Sequence, residues 1–161
     1  MVLKIIELIE RGVLNSIYRN NFSTQLNHMK KIEHIGIAVK DFNVSIPLFE
    51  KLLQTSCYKQ ELVASENVAT AFFQVGESKI ELLQSTSEEG VIAQYIAKKG
   101  EGMHHIAFDV DDIYAEMERL QSEGFILLNK EPKKGADNKL VCFLHPKTSN
   151  SVLVELCQSI D

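Results

Sequence analysis

The sequence has no apolar run that approaches the roughly 20 residues a membrane-spanning helix requires. Its first residues, Met1–Ile6, lack the long apolar core and small-residue cleavage site of a secretory signal, so we predict a cytoplasmic protein. The three cysteines, Cys57, Cys142 and Cys157, form neither a metal-spaced pair nor an even disulfide set. We therefore expect reduced, mostly buried thiols.

An excess of positive charge is also missing. The formal net charge of −5 argues against nucleic acid as the main partner. The chain contains no glycine-rich phosphate loop, and no cysteine or serine stands in a nucleophile pattern. With 161 residues, 45% of them hydrophobic, the chain has the size of one compact domain or of two tightly packed modules.

An internal duplication is what the sequence does contain. The segment His34–Asp41 returns as His105–Asp112, and Ile80–Gln84 returns as Val154–Gln158. Each half therefore opens with a strand that carries a histidine and closes with a strand that carries a glutamate. Two such copies around a pseudo-twofold axis would bring two imidazoles and two carboxylates together. That is a four-ligand set for a divalent metal.

Hydrophobic periodicity and turn residues predict the same βαβββ order in both halves. We expect a first module over 31–84, a connecting helix within 85–100 and a second module over 101–158, with 31–158 forming one α+β domain. The predicted strands are 33–40, 57–64, 68–75, 79–84, 103–110, 125–129, 139–145 and 151–158, and the predicted helices are 43–54, 88–99 and 111–123.

Two segments stand apart from this pattern. Residues 1–28 lie outside the duplication and are predicted to form a helix followed by a linker, with Met29 as an alternative start. The polar segment 131–137 is a candidate flap, because it is long for a turn and contains Gly135.

Strand parity predicts that the four duplicated residues share one face of the sheet, since alternate side chains of a strand face opposite sides. On each of the four strands, apolar residues occupy the positions that alternate with the duplicated residue, and these apolar residues would pack on helices. The duplicated residues are His34, Glu81, His105 and Glu155. Small residues such as Gly36 follow the histidines. This face therefore predicts a cavity rather than a core.

A single strand histidine is more often structural than a ligand, and a glutamate on a strand face is more often solvated. The same residue types at matching places and with matching parity favour a metal site over these interpretations. His104 and His145 have no partner in the duplication, so we expect structural roles for them. His104 is also placed to orient its neighbour by donating a hydrogen bond.

At these residues the sequence resembles the vicinal oxygen chelate (glyoxalase/dioxygenase-like) superfamily and, within it, the methylmalonyl-CoA epimerase family. The resemblance spans about 31–158 and is carried by Ile32–Val39, Lys79–Leu83, Gly100–Phe108, Glu131–Ala136, Phe143–Lys147 and Val152–Leu156. The doubled histidine, the Glu-Pro-Lys loop and the His-Pro-Lys turn are its most specific motifs. The resemblance implies a glyoxalase-like fold, in which βαβββ modules form a curved mixed sheet around a metal.

The resemblance implies that His34, Glu81, His105 and Glu155 hold the metal, which are the residues that the duplication indicates. Cobalt is the metal most associated with the family, and nickel, manganese, zinc and magnesium are alternatives. The implied reaction interconverts (R)- and (S)-methylmalonyl-CoA by removing the C2 proton to give a metal-stabilised enolate.

Inversion at C2 requires an acid/base group on each face of the carbon. The resemblance implies Glu155 in one of these roles, in addition to metal binding. For the other role, Thr70 stands where some family members carry a glutamate, and a threonine hydroxyl cannot serve as the base. Glu66 and a metal-bound water are the alternatives.

Lys134 and Lys147 are candidates for contacts with an acyl-CoA substrate, together with Lys133. We expect a homodimer from the resemblance, and neither a nucleic acid nor a membrane as partner. A glyoxalase I-like lyase and a non-enzymatic ligand-binding module of the same fold stay open as alternative functions. The small number of arginines, three in all, counts against recognition of glutathione carboxylates.

Overall fold

A single mixed sheet of eight strands runs through the computed structural model, which describes residues 29–160. The expectations for residues 1–28 lie outside the described residues. The strands are β1 (Met29–Ala38), β2 (Lys59–Val63), β3 (Val68–Val75), β4 (Ser78–Ser85), β5 (Gly102–Val110), β6 (Lys133–Lys134), β7 (Lys139–Leu144) and β8 (Val154–Ser159). The helices of this region are α1 (Phe42–Leu53), α2 (Val91–Lys99) and α3 (Ile113–Ser122), with short 3-10 turns at Ala64–Glu66 and Pro146–Thr148.

The order of the strands across the sheet reflects the internal duplication. That order is β2-β3-β4-β1-β5-β8-β7-β6, with β1 and β5 forming an antiparallel pair at the centre. On one side β4 runs parallel to β1, and on the other side β8 runs parallel to β5. The two βαβββ modules are thus arranged alike on either side of the central pair, and the predicted α+β fold with a curved sheet is confirmed.

Carboxylates cap two of the helices. Asp41 accepts the backbone N–H of Asn43 at 2.9 Å, and Asp112 accepts those of Tyr114 and Ala115 at 3.0 Å. Each such cap contributes about 1 kcal/mol, because it satisfies N–H groups that have no partner inside the helix. None of the helices in the described residues is long and apolar enough to cross a membrane.

Helices α1 and α3 cover one face of the sheet, whereas α2 packs on the other face, beside the buried polar residues. In the second module, Ile113, Met117 and Leu120 of α3 pack against β7 and β8. In the first module, α1 packs against β3 and β4, and Ile92 of α2 packs against β1 and β4. Since α1 and α3 pack on the outer side of the curved sheet, the alternate residues of the central strands face its inside, where Ile92 of α2 also packs.

The predicted strand over 125–129 is wrong. Leu127 forms only an isolated bridge with Leu144, and the segment that pairs with β7 as a strand is Lys133–Lys134. Leu127 pairs with Leu144, and Lys133 pairs with Val141. The two pairs are six residues apart along the edge segment but only three apart along β7, so three residues of the edge segment have no partner and form a loop. Pro132 lies in this stretch and has no N–H to give to a strand ladder.

Ion pairs connect the two ends of the sheet. Asp137, in the loop between β6 and β7, lies 2.6 Å from Lys79 Nζ on β4 and 3.1 Å from Lys59 Nζ on β2. The backbone N–H of Asp137 donates to Glu61 Oε2 at 3.0 Å. The loop 135–138, which we call the strap, therefore ties the second module to the first across the open side of the sheet.

We expect the variant Asp137→Asn to be less stable than the wild type at pH 7, by about 1 kcal/mol, because both ion pairs are lost. Burial alone would raise the pKa of Asp137, but Lys79 and Lys59 outweigh burial and lower it. Stabilisation by a carboxylate whose pKa is lowered is complete above its unfolded value of about 4, and it disappears as the pH falls through the folded value.

Urea unfolding at a series of pH values measures this difference. The gap between wild type and Asp137→Asn should be constant above about pH 5 and should close progressively below about pH 4. Asp111→Asn, which removes an exposed pair with Lys30, is the control and should change stability by less than about 0.5 kcal/mol. A gap that stays the same down to the lowest pH at which both proteins fold would contradict the role of the strap.

Candidate metal centre

The strand register places the four duplicated residues in two neighbouring rows across the centre of the sheet. The rows are Glu81–Gly36–His105 and His34–Ala107–Glu155. In each row a small residue separates a histidine from a glutamate, and the two come from different modules. The site is therefore assembled by the pairing of β1 with β5, with β4 and β8 on either side.

The ligand atoms of these side chains converge. The Nε2 atoms of His34 and His105 lie 2.8 Å apart. Glu81 Oε2 lies 3.2 Å from His34 Nε2 and 3.6 Å from His105 Nε2, and Glu155 Oε2 lies 3.5 Å and 2.9 Å from the same two atoms. All four residues are buried, with at most 6% of their surface exposed. Sequence reasoning thus predicted a cluster that the structure brings together.

These spacings fit a divalent cation. With bonds of about 2.1 Å, donors at right angles around one ion lie about 3.0 Å apart. Each of the five nitrogen–nitrogen and nitrogen–oxygen distances is within about 0.6 Å of that value, as the preceding contacts show. Nitrogen and carboxylate donors suit first-row divalent metals. The side chains therefore supply a donor set for such an ion.

The electrostatics of the cluster also favour a cation. Burial alone would lower the pKa of His34, but the carboxylates of Glu81, Glu155 and Glu33 outweigh it and raise the pKa. Burial would raise the pKa of Glu155, and the imidazoles of His105 and His34 lower it instead. Positive charge is thus stabilised between the carboxylates, which is the charge that a bound metal supplies.

Glu33 is a residue of this site that the sequence did not predict. It is 3% exposed, and its Oε1 lies 2.5 Å from Lys79 Nζ and 3.3 Å from Lys139 Nζ. Burial would raise the pKa of Glu33, but His34 and Lys79 outweigh burial and lower it to about 2. Strand parity would place Glu33 on the opposite face from His34, and no signal in the sequence marks the departure.

A cavity of about 300 Å³ opens beside the cluster, and Glu81, His105 and Glu155 form part of its wall. Most of the remaining wall is apolar, and it includes Val63, Val68, Leu83, Val91, Ile92, Leu128, Val141, Phe143 and Leu153. Thr70 also lines this cavity, and its hydroxyl donates to the carbonyl of Glu61 at 3.3 Å. The cavity gives a small apolar ligand access to the cluster.

The lysines predicted to contact a substrate occupy different positions. Lys134 lines the cavity, as does Lys133, whose Nζ lies 2.5 Å from Glu66 Oε1. Lys147 is exposed in the 3-10 turn capped by His145, and it is not part of the cavity wall. The role of Lys134 thus gains support from its position, and that of Lys147 stays a prediction.

Comparison with known proteins agrees with this arrangement. Residues 33–143 match the glyoxalase/bleomycin resistance protein/dioxygenase superfamily. The chain belongs to this superfamily. The superfamily match includes His34, Glu81 and His105 and ends before Glu155, so the fourth residue of the cluster comes from the strand that follows the matched region.

Within the superfamily, the chain is homologous to methylmalonyl-CoA epimerases. It is 36% identical to the ethylmalonyl-CoA/methylmalonyl-CoA epimerase of Cereibacter sphaeroides, over 80% of this chain and 97% of that protein. It is 35% identical to YqjC, an uncharacterised protein of Bacillus subtilis, over 81% of this chain and 93% of that protein.

Solved structures give the same result. Methylmalonyl-CoA epimerase from Mycobacterium tuberculosis is 28% identical and superposes with a TM-score of 0.81, covering 88% of this chain and 96% of the other. A methylmalonyl-CoA epimerase in complex with methylmalonyl-CoA and NH4+ is 31% identical, with a TM-score of 0.78 and coverage of 81% and 95%. The chain thus has the fold of these epimerases.

Among the glycines that the structure describes, Gly36 has the least room for a side chain. A Cβ at residue 36 would lie 2.2 Å from Cε1 of His105. We therefore expect Gly36→Ala to displace the imidazole and to weaken binding of Co²⁺ by at least about tenfold, as misplaced ligand geometry does. Competition with a chelating indicator measures the affinity.

The matched control is Gly90→Ala, whose added Cβ would lie 2.3 Å from Ser85 Oγ, a side chain outside the cluster. It should retain the wild-type affinity for Co²⁺. Equal affinities for Co²⁺ in Gly36→Ala and the wild type would show that the position of His105 does not determine binding.

Proposed function

We propose that this protein is a metal-dependent epimerase that interconverts (R)- and (S)-methylmalonyl-CoA. The observation that carries the proposal is the cluster of two histidines and two glutamates at the wall of an apolar cavity. Support comes from relatives that are methylmalonyl-CoA epimerases and from the neighbouring structure in complex with methylmalonyl-CoA. The chain would use one cluster and one cavity to bind and invert its substrate.

The metal ligands in this proposal are His34, Glu81, His105 and Glu155. When bound, a divalent metal would supply Lewis-acid stabilisation for the negative charge that develops on the substrate as the C2 proton leaves. We propose cobalt in this role, with nickel, manganese, zinc and magnesium as alternatives, since imidazole ligands suit nickel and zinc and carboxylate ligands suit manganese and magnesium. The apolar part of the cavity wall would accommodate the methyl group at C2.

Glu155 is our candidate for one of the two acid/base groups. It lines the cavity, and the neighbouring imidazoles lower its pKa, so the side chain is ionised at neutral pH. Its Oε1 also accepts a weak hydrogen bond from Cys157 Sγ at 3.4 Å, which leaves Oε2 directed at the histidines. Glu155 thus presents a charged oxygen to both the cluster and the cavity.

Glu66 is our candidate for the group on the other face of C2. Among the described residues, it is the carboxylate of the cavity wall that lies outside the four-residue cluster. Its partner Lys133, whose Nζ lies 2.5 Å from Glu66 Oε1, lines the same wall. Thr70, on the neighbouring strand, has its hydroxyl bonded to the carbonyl of Glu61 and has no basic atom to offer.

The substrate would enter past the lysines of β6. Lys133 and Lys134 line the cavity, and a coenzyme A thioester carries phosphates that such side chains can contact. The homodimer implied by the family resemblance and the cytoplasmic location inferred from the first residues of the sequence remain predictions.

Exchange of the C2 proton for deuterium tests the proposed function. Cobalt-loaded protein in D₂O should exchange the C2 proton of methylmalonyl-CoA, and Glu155→Gln should slow this exchange by at least about 100-fold because a positioned base is lost. Removal of the metal with a chelator should abolish exchange, and addition of Co²⁺ should restore it.

The control variant is Glu77→Gln, which alters an exposed turn residue and should exchange at the wild-type rate. Failure of a folded, cobalt-loaded wild type to exchange the proton would reject the epimerase proposal. Glyoxalase-type substrates and binding without turnover would then be the functions to examine.

The two epimers supplied separately test the roles of Glu155 and Glu66. If each carboxylate serves one face of C2, Glu66→Gln should exchange the proton of one epimer at a near-normal rate and that of the other at least about 100-fold more slowly. Deuterium incorporation and the optical purity of recovered substrate measure this split. Equal exchange of both epimers at the wild-type rate would exclude Glu66 as the second group.

A further inference from the structure

The residue before each histidine of the cluster is the extra residue of a β-bulge. On β1, Ile32 pairs with Phe108 and His34 pairs with Ala107, so Glu33 has no residue opposite it. On β5, His105 pairs with Gly36 and Met103 pairs with Ile37, so His104 has none either. The two bulges occupy equivalent places in the two modules.

A bulge turns an additional side chain toward the face that its neighbour occupies. As a result, Glu33 lies beside His34 and His104 lies beside His105, although successive residues of a regular strand face opposite sides. Glu33 Oε2 is 2.5 Å from His34 Nδ1, and His104 Nδ1 is 3.0 Å from His105 Nδ1. Both histidines direct Nε2 into the cluster and Nδ1 at the bulge residue.

This arrangement has a consequence for the tautomer of each ring. A histidine that offers the Nε2 lone pair to a metal carries its proton on Nδ1, and that N–H needs an acceptor in a buried site. The carboxylate of Glu33 is such an acceptor for His34. For His105, an unprotonated Nδ1 of His104 would be the acceptor, in place of the donor role predicted for His104.

We infer that Glu33 and His104 are positioning residues of the metal centre, which fix the tautomer and the ring orientation of His34 and His105. The inference rests on the proposed metal-dependent function. The two acceptors are not equivalent. Glu33 is a carboxylate neutralised by Lys79 and Lys139, whereas His104 is an imidazole in edge contact with Tyr95 at 4.9 Å between ring centres. His34 therefore has the more strongly polarised ring of the two.

Affinity for Co²⁺ is the first measurement, made on the full chain by competition with a chelating indicator. Glu33→Leu and His104→Leu remove an acceptor and should each weaken binding by about 10- to 100-fold. His104→Gln keeps a neutral acceptor oxygen and should restore most of the affinity. Glu33→Gln should lie between Glu33→Leu and the wild type, because it keeps an oxygen but loses the charge.

Lys30→Gln is the matched control. Lys30 is the extra residue of a third irregularity in the same strand pair, between Met29 and Lys31, and its side chain pairs with Asp111 at the surface. This variant should bind Co²⁺ as the wild type does.

Proton NMR of the cobalt-loaded protein in water is the second measurement, and a purely structural role would not affect it. Each coordinated histidine should give a paramagnetically shifted Nδ1–H signal that exchanges slowly because its proton is hydrogen bonded. Glu33→Leu should speed the exchange of one signal only, that of His34. His104→Leu should speed the exchange of the other signal only, that of His105. If Glu33→Leu does not fold, Glu33→Gln provides the same comparison.

The outcomes separate this inference from the proposed function. Folded Leu variants with wild-type affinity and two slowly exchanging signals would overturn the inference alone, provided that removal of the metal from the wild type still abolishes proton exchange at C2. A wild-type protein that does not bind Co²⁺ would overturn both. Weaker binding with the loss of one specific signal for each variant would support the inference.

Discussion

The antiparallel pairing of β1 with β5 is the constraint on which the rest of the site depends. The register of this pair sets Gly36 opposite His105 and Ala107 opposite His34, and the parallel partners β4 and β8 then bring a glutamate to each row. A slip of one residue would turn every side chain of a strand to the other face of the sheet. The hydrophobic contacts with the helices oppose such a slip, so the core holds the polar cluster in register.

Three buried carboxylates lie close together in this sheet, and they impose an electrostatic requirement on the fold. Charges removed from water destabilise a protein unless they are paired. Glu33 is compensated by Lys79 and Lys139, and Lys79 in turn contacts the strap through Asp137. Glu81 and Glu155 have the two imidazoles as their partners in the cluster. The strap and the cluster thus belong to one connected set of charges.

The duplication and the alternation of strand residues were enough to predict the βαβββ order and the meeting of His34, Glu81, His105 and Glu155, because both are periodic signals in the sequence. The curved mixed sheet was implied by the family resemblance. The predicted strand over 125–129 failed because the edge chain loops out before it pairs with β7. Glu33 was missed since a bulge breaks the period of two without any mark in the sequence. The partners of Asp137 depend on closure of the sheet, which no local pattern records.

The two bulges differ in the residue they carry, which is possible in a duplicated chain but not in a pair of identical subunits. Two copies of one module would carry the same residue before each histidine, and their site would be symmetric. Here the first half has Glu33 at that place and the second has His104, and the small residues opposite the histidines are Gly36 and Ala107. Fusion into one chain allowed the halves to diverge. A site with two unlike sides can hold a chiral carbon in one orientation and treat its two faces differently.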